Sequence, residues 1–534
     1  MIAQQAAPYL RALPLSLAVA VLAIPLVTAA LGGLFAGGGE TWDHIVSTDL
    51  WRFTATTVGM LILTGALVLL AAIPAAWLVT MHNFPGRAVF EWLLILPLAA
   101  PGYVIAIAYA DLLGVAGPVQ SALRDATGLG ARDYWFPDIN SLPGLCFVLA
   151  GSLFPYVFLT ARAAFTSTSL CAIDAARTLG SAPIATIWRV ALPSARPAIV
   201  AGLALAMMEA AADYGAADFL GVRTLTVGLF RAWSSFGDAG AAARMALILL
   251  VLAIGLQWLE RRHRGGAGTQ ATSKRWQAIN RPPLKPLHGW LAFTFCGALF
   301  AWGFGVPITR MVWIALETGD RGTASLWGPL RTSLILAGIG AGLCFLLGVV
   351  IALSVRHRGF ASTLARAVMA GGYAVPGAVL ALGGIVALAT LGINLAGPVA
   401  VLILVWIYAC RFTAAGAEPL QAALDRAPVS MGDAARALGA SPLMRLWRVD
   451  LPIALSGALV AALILFVEVL KELPATLMLR PANWDTLAVR AYDYASDERL
   501  SAAALPCLMI TAAGLVPVLI LSWRLSRSRP GAAA

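Results

Sequence analysis

The sequence predicts an all-α polytopic membrane protein with about twelve transmembrane helices, arranged as two parallel six-helix repeats. Three observations support this prediction. The 534 residues are 60% hydrophobic and only 12% charged, whereas about a quarter of the residues in a soluble globular domain are charged. Apolar runs of roughly 18 residues or more, long enough to cross the hydrocarbon core, recur about twelve times. A polar segment of about twenty residues occurs twice, 259 positions apart.

The predicted spans follow one another along the chain. Their centres lie near Val21, Val68, Ile105, Leu153, Leu203, Leu250, Phe300, Leu343, Leu382, Val405, Leu463 and Thr511. The first apolar run, Leu15 to Phe35, follows Arg11 and is longer than the apolar core of a typical secretory signal peptide. We therefore predict that this run is retained as a membrane span.

The repeated polar segment lies between spans four and five and again between spans ten and eleven. The first motif reads DAARTLGSAPIATIWRVALP from Asp174 to Pro193, and the second reads DAARALGASPLMRLWRVDLP from Asp433 to Pro452. Twelve of the twenty positions are identical. An internal repeat of this kind predicts that the whole architecture is duplicated.

A basic segment separates the two predicted halves. Residues 261–287 contain Lys, Arg, Gly and Pro but no apolar run, which is typical of a tether. We predict a first six-helix half at 1–260, a cytoplasmic linker at 261–287 and a second six-helix half at 288–534. Because six is an even number, both halves enter the membrane from the same side, and the repeat is parallel.

Lys and Arg are distributed unevenly between the loops. With a cytoplasmic amino terminus, the inner loops and their flanks hold 24 Lys and Arg against 7 Asp and Glu, and the remainder holds 13 against 19. This is the positive-inside pattern, and it predicts that both motifs, the linker and both termini are cytoplasmic. The net charge of +11 then belongs to cytoplasmic loops and requires no nucleic-acid partner.

Each motif predicts two short helices separated by a glycine. Gly180 and Gly439 follow an Ala-rich turn, and glycine most easily takes the left-handed conformation that ends a helix. The second helix carries an apolar stripe with Trp188 or Trp447, and Ser441 is a suitable N-cap for it. The closing Leu-Pro pair predicts a helix stop. The stripe either packs beneath the protein's own membrane helices or fits a groove in a soluble partner.

Several ionisable residues lie at membrane depth, where a charge is costly unless it is paired or hydrated. They are Glu209, Asp213, Glu468, Lys471 and Glu472 in or after spans five and eleven, and Asp111 in span three. The four acids in or after spans five and eleven are candidates to line the path of a cation, since hard cations prefer oxygen ligands. The alternative is structural pairing, with Glu468 bound to Lys471 and Glu209 bound to neighbouring backbone. Both interpretations stay open.

A Pro-Gly pair lies within span three, at Pro101 and Gly102, and another within span nine, at Pro376 and Gly377. Proline removes a backbone hydrogen bond inside a helix. We therefore expect each pair to kink its span and to free backbone groups that neighbouring helices or water must satisfy.

Both motifs resemble the EAA loop of bacterial ABC importer permeases. The shared positions are Asp174, Ala175, Ala176, Gly180 and Pro193 in the first motif and Asp433, Ala434, Ala435, Gly439 and Pro452 in the second. That family usually has Glu where this chain has Asp. The resemblance implies that each loop, with Trp188 or Trp447, is a coupling helix that sits in a cleft of an ATP-binding subunit. Two such loops in one chain resemble the fused permeases of this family.

The resemblance covers nearly the whole chain and is strongest toward the ferric-iron permeases. It rests on residues 96–104, 155–165, 209–215, 224–233 and 471–481. Fused thiamine and phosphonate permeases are built alike, so these substrates stay open. The resemblance implies the type I ABC importer fold, an inner-membrane location, two copies of a cytoplasmic ATP-binding subunit and a periplasmic solute-binding protein. It implies no catalytic site and no cofactor on this chain, with ATP bound by the partner subunit.

Two other classes of protein fit the sequence less well. A secondary transporter driven by an ion gradient fits a parallel repeat but does not explain two glycine-broken cytoplasmic helices. A membrane-embedded enzyme would need a cluster of His, Asp or nucleophilic residues, which the sequence does not contain. The sequence also has no G-x-x-x-x-G-K-S/T motif, so any ATP hydrolysis must belong to another chain.

Overall fold

The computed structural model of the protein describes residues 2–37, 39–167, 183–264, 281–318, 326–355, 360–425, 429–455 and 457–527. Within these ranges the secondary structure is helical and no strand is present. A single isolated bridge joins Asn83 to Pro283. The predicted all-α fold class is confirmed.

The described helices that precede the linker form the first half. They are α1 (Ile2–Phe35), α2 (Glu40–Thr48), α3 (Leu50–Met81), α4 (Arg87–Leu93), α5 (Gly102–Leu113), α6 (Pro118–Thr127), α7 (Leu142–Ser167), α8 (Pro183–Thr186), α9 (Leu192–Ala212), α10 (Gly215–Phe219), α11 (Leu225–Phe230) and α12 (Ala239–Arg264). A 3-10 turn at Leu96–Ala99 precedes α5, and π-turns at Ile187–Ala191 and Arg231–Ser235 extend the neighbouring helices.

The described helices after the linker form the second half. They are α13 (Pro286–Phe300), α14 (Val306–Thr318), α15 (Trp327–Val355), α16 (Phe360–Ala374), α17 (Gly377–Thr390), α18 (Gly397–Asp425), α19 (Val429–Ala437), α20 (Pro442–Arg445), α21 (Leu451–Leu455), α22 (Ala458–Lys471), α23 (Pro474–Leu479), α24 (Leu487–Ser496) and α25 (Leu500–Arg527). π-turns at Ala301–Gly305 and Leu446–Asp450 join α13 to α14 and α20 to α21.

Ten helical segments within the described ranges are long and apolar enough to cross a membrane. Two further pairs of helices would each complete a span if taken together, which raises the number to twelve. These pairs are Ala361–Ala374 with Gly377–Thr390 and Leu446–Leu455 with Ala458–Lys471. All twelve predicted span centres fall within these segments, so the predicted membrane architecture is confirmed.

The two Pro-Gly pairs separate helices instead of kinking one helix, which corrects the prediction. In span nine, α16 ends at Ala374 and α17 begins at Gly377, with an angle of 112° between them. In span three, Pro101 is the N-cap residue and α5 begins at Gly102. The break is sharp because proline lacks an N–H and also disfavours the helical conformation in the residue before it.

An equivalent hydrogen bond is present in each half, and it links a long membrane span to a short helix. In the first half, the Thr57 hydroxyl accepts the backbone N–H of Leu225 at 2.9 Å. In the second half, the Ser333 hydroxyl accepts the backbone N–H of Leu487 at 2.7 Å. All four residues are buried. The duplication seen in the motifs therefore extends to the packing of α11 on α3 and of α24 on α15.

The two halves interlock through the first helices of each. Helix α1 packs on α16 and α17 of the second half, and α14 packs on α5 of the first half. Arg310 of α14 forms an ion pair with Asp111 of α5, and the Tyr109 hydroxyl donates to the Trp302 carbonyl at 2.7 Å. Buried apolar side chains from both halves form one continuous core.

Candidate translocation site and coupling segments

A cavity of about 120 Å³ lies between the two halves, where α9 and α22 end. Its charged lining comprises Glu209, Asp213, Arg411, Glu468, Lys471 and Glu472. The structure therefore brings together all four acids predicted for a translocation path, two from each half. Four carboxylates face two cationic groups there, so acids outnumber bases in the cavity.

Asp213 and Glu472, which are equivalent positions in the repeat, cap the short helices that follow them. Asp213 Oδ1 accepts the N–H groups of residues 216 and 217 at 2.9 and 3.1 Å. The Glu472 carboxylate accepts the N–H groups of residues 475 and 476, both at 2.9 Å. The first N–H groups of a helix have no partner within the helix and attract negative charge. These two acids are therefore fixed by the backbone on one side of the cavity.

The helix breaks at Gly102 and Gly377 let the same acids approach a second helix terminus. A Cβ added at Gly102 would lie 3.1 Å from Asp213 Oδ2. A Cβ added at Gly377 would lie 2.7 Å from Glu472 Oε1 and 2.4 Å from Arg411 Nη1. The lack of a Cβ at both positions permits this close approach, and the partial positive charge at the start of α5 and α17 favours the carboxylates.

Glu209 and Glu468 each lie close to a cation that lines the cavity. Lys471 Nζ donates to Glu468 Oε1 at 3.0 Å, which is the pairing expected from the sequence. Glu209 Oε2 lies 4.0 Å from Arg411 Nη2. The expected partner of Glu209, neighbouring backbone, is therefore corrected to a guanidinium of the other half. Asp111, which pairs with Arg310, does not line this cavity.

Arg411 is the cavity residue that sequence reasoning missed. Its side chain also lies 3.7 Å from Glu472, measured from Nη1 to Oε1, so it bridges an acid of each half. The available signal was its position as the single charged residue in the apolar run 397–417. A lone arginine at membrane depth indicates a buried partner or a polar cavity.

A second cavity of about 960 Å³ lies on the side of the molecule that carries the two motifs. We call it the vestibule, and its lining includes Tyr156, Gln257, Glu260, Arg366, Tyr373 and Glu418. Tyr373 also interacts with the Glu209 carboxylate, so the vestibule ends close to the charged cavity. The two cavities therefore follow one another along the interface between the halves.

The second motif has the local structure that its glycine predicts. Gly439 has a φ of +78°, just after the end of α19. The N–H of Ala440 bonds to the carbonyl of Ala435 at 2.9 Å, which satisfies a helix-end carbonyl. The N–H of Met444 bonds to the Ser441 hydroxyl at 3.2 Å and caps α20.

The motif tryptophans lie on the surface of the protein. Trp188 is 69% exposed and Trp447 is 62% exposed, so the described membrane helices leave most of both indole rings uncovered. A large apolar group exposed in a polar segment is typical of an interaction surface. The remaining predicted residues of the first motif, Asp174, Ala175, Ala176 and Gly180, lie outside the described residues.

The closing Leu-Pro pairs do not stop the helix, which corrects another prediction. Helix α9 begins at Leu192 and runs through Pro193, and α21 runs through Pro452 to Leu455. A π-turn precedes each proline, and the N–H of Leu451 bonds to the carbonyl of Leu446, five residues back. Proline is tolerated because it lies in the first turn after the π-turn, where its missing N–H costs little.

Known proteins with a similar sequence share this duplicated arrangement or one part of it. A family described as "Binding-protein-dependent transport system inner membrane component" matches residues 68–265 and again 344–528. The Fe(3+)-transport system permease protein FbpB 2 of Haemophilus influenzae is 24% identical over 461 residues, which cover 84% of each chain.

Two other relatives show the range of the similarity. The probable ABC transporter permease protein y4fN of Sinorhizobium fredii is 25% identical over 95% of this chain and 94% of its own. The molybdenum transport system permease protein ModB of Escherichia coli is 29% identical over 36% of this chain and 86% of its own. The matches to the family cover both halves and most of the chain. The chain therefore belongs to the binding-protein-dependent transport system inner membrane components, the ABC transporter permeases, and carries the family's domain twice.

Proposed function

We propose that this chain is the permease of an ATP-driven importer that moves ferric iron from a periplasmic binding protein into the cytoplasm. The observation that carries the choice of a cation is the charged cavity, where Glu209 and Glu468 occupy equivalent positions of the two halves. Ferric iron is a hard cation that favours oxygen ligands. A full-length relative named as an Fe(3+)-transport permease adds support.

The partners follow from the permease class. Two copies of a cytoplasmic ATP-binding subunit would dock on the two motifs, with Trp188 and Trp447 in their clefts. ATP would be bound and hydrolysed by that subunit, and this chain would hold no catalytic site and no cofactor. In this proposal the motifs, the linker and both termini are cytoplasmic, as the distribution of Lys and Arg predicts.

The two cavities suggest how solute access alternates. In the described conformation the vestibule extends from the motif side toward Glu209, and the charged cavity lies beyond it. A change in the ATPase at the motifs would bias the equilibrium between this state and one open on the opposite side, because each state binds the partner differently. The solute would pass from Glu209 and Glu468 to the vestibule.

An oxyanion is the second candidate cargo. Relatives named as molybdenum and sulfate permeases match parts of this chain, and Arg411 and Lys471 line the same cavity. Both cations are ion-paired to acids, however, and acids are in excess. These contacts favour a cationic cargo over an oxyanion.

The decisive experiment is uptake by the reconstituted complex. The permease, with its ATPase and binding protein, would be placed in liposomes and supplied with radioactive ferric iron, molybdate or sulfate. We expect ATP-dependent accumulation of iron alone. Accumulation of an oxyanion without iron would overturn the proposed cargo, and accumulation that needs no ATPase would overturn the proposed class.

The cavity acids can be tested in the same assay with Glu209→Gln, Glu468→Gln and the double variant. If both carboxylates contact the passing cation, the loss of uptake in the double variant should differ from the sum of the single losses by more than about 0.5 kcal/mol in activation free energy. Additive effects would return both acids to structural roles. Asp111→Asn, in an ion pair outside the cavity, is the matched control.

A further inference from the structure

The Arg411 side chain is buried between the two halves but is only loosely held there. The residue is 8% exposed, and its guanidinium lies 3.7 Å from Glu472 and 4.0 Å from Glu209. Its Nη1 atom is buried and makes no hydrogen bond within the described part of the chain. A buried charge in such long contacts gains little to offset its desolvation.

The two acids that face Arg411 differ in how firmly they are held. The Glu472 carboxylate accepts two backbone N–H groups and the Thr476 hydroxyl. The Glu209 carboxylate interacts with the Tyr373 hydroxyl instead of with backbone N–H groups, and it is more exposed, at 24% against 1% for Glu472. Arg411 can therefore release Glu209 while it keeps its contact with Glu472.

The first half has no cation at the equivalent position. Ser152 stands 259 positions before Arg411, the offset of the two motifs. Ser152 lies near Gly102, and Arg411 lies near Gly377. The two residues are therefore equivalent in the structure as well as in the sequence. The duplication would permit a symmetric cavity, and Arg411 breaks that symmetry by adding one positive charge in contact with both halves.

We propose that Arg411 is an internal counter-cation that occupies the acidic cavity when no cargo is present and yields Glu209 to a cationic cargo. The inference rests on the proposed function in that the cargo is a cation. Arg411 and the cargo compete for the same carboxylate, so removing the guanidinium strengthens cation binding. It also destabilises the empty protein, because Glu209 and Glu472 then lose their shared partner.

Terbium(III), a hard trivalent ion, serves as the probe on the purified full chain. Tyr103 and Tyr214 line the cavity and can sensitise terbium luminescence, which reports binding without transport. We expect Arg411→Gln to bind terbium about tenfold more tightly than the wild type, in the range of ordinary coupling between sites. Arg411→Lys keeps the competing charge and should bind as the wild type does. Arg310→Gln, which breaks a partly buried ion pair elsewhere, should also leave the affinity unchanged.

Thermal unfolding of the ion-free protein supplies the second readout. Arg411→Gln should lower Tm by about 5 °C, and adding Glu209→Gln should restore part of that loss because it removes the unpaired acid. Equal or weaker terbium binding by Arg411→Gln, or additive losses of Tm in the double variant, would overturn the inference.

These outcomes are separable from a failure of the proposed function. If the reconstituted wild type accumulates iron but Arg411→Gln shows no change in terbium affinity or Tm, the role proposed for Arg411 is wrong and the proposed importer function is retained. If terbium binding tightens and the double variant regains Tm as expected, but the complex accumulates only another cation, the assignment of iron is wrong and the role of Arg411 is retained.

Discussion

The charged cavity contains two pairs of equivalent acids, and the two pairs serve different purposes. Asp213 and Glu472 accept hydrogen bonds from backbone N–H groups of the helices that follow them. Their negative charge is therefore largely stabilised by the backbone. Glu209 and Glu468 contact side chains instead: Glu209 lies 4.0 Å from Arg411 and interacts with Tyr373, and Glu468 lies 3.0 Å from Lys471. An acid that binds a transported ion must be able to exchange its own cationic partner for that ion. Glu209 and Glu468 are therefore the better candidates for contact with the cargo.

The glycine at the break in span nine offers a test of this packing. Gly377→Ala should destabilise the protein by about 1–3 kcal/mol, because the new Cβ would lie 2.7 Å from Glu472 Oε1, and this carboxylate cannot move away without losing its hydrogen bonds to α23. Thermal unfolding of the purified variant measures the effect. Gly338→Ala is the matched control, since nothing lies within 4 Å of its added Cβ, and it should be neutral or slightly stabilising. A similar Tm for both variants would contradict the prediction.

At the scale of elements, short helices are held in place by single hydroxyl groups. Thr224 and Thr486 are the N-cap residues of α11 and α24, and their hydroxyls accept a backbone N–H of the helix that follows. Thr57 and Ser333 bind the first helical N–H of the same helices from a neighbouring span. A helix of six to ten residues is too short to be stable alone. These hydroxyls therefore fix where α11 and α24 begin.

Ser333→Ala tests this attachment. Loss of the hydroxyl leaves the buried N–H of Leu487 without its partner, and we expect a cost of about 1–3 kcal/mol in the free energy of unfolding. Ser354→Ala lies on the same helix, and within the described residues its hydroxyl bonds to the carbonyl of Val350 in its own helix. It should cost much less. Equal losses of Tm in the two variants would show that the contact to α24 is unimportant.

The helix end in the second motif is the element on which coupling depends in the proposed function. Gly439→Val should cost about 1–2 kcal/mol, because a β-branched residue disfavours the left-handed conformation found at Gly439. We expect the misplaced α20 to reduce both iron uptake and stimulation of the ATPase. Gly439→Asn, which tolerates positive φ, should retain most of both. Wild-type uptake and stimulation in the valine variant would refute this expectation.

At the scale of the whole molecule, the halves are interlocked and not merely tethered. Helix α1 packs against the second half and α14 against the first, and the Asp111–Arg310 ion pair joins α5 to α14. The charged cavity and the vestibule both lie on this shared interface. A change in the relative position of the halves would therefore alter both cavities together.

The orientation in the membrane is the prediction that belongs to this scale. Single cysteines at Ser273 and Asp138, in a cysteine-free background, would be labelled with an impermeant reagent in spheroplasts. Asp138→Cys should react and Ser273→Cys should not, because Lys and Arg are concentrated on the linker side. Since the described native cysteines are buried, their replacement by small apolar residues should be tolerated. The opposite labelling pattern would invert the topology.

The sequence by itself determined the architecture because its signals are local or repeated. Apolar runs located all twelve spans, the duplicated motif indicated two equivalent halves, and a glycine at position 439 predicted a helix end. The spans and the helix end depend on neighbouring residues only, since span length and helix capping are set within a few turns of chain, and the duplication is visible by comparing one half of the sequence with the other.

Only the tertiary structure decided which charges meet. Arg411 and Glu209 are 202 positions apart and belong to different halves, so no local pattern could pair them. The capping role of Asp213 and the passage of α9 through Pro193 also depend on backbone geometry that residue types leave open. The physical reason is that a buried charge is stabilised by whichever partner the packing brings within a few ångströms, and that packing joins segments distant in sequence.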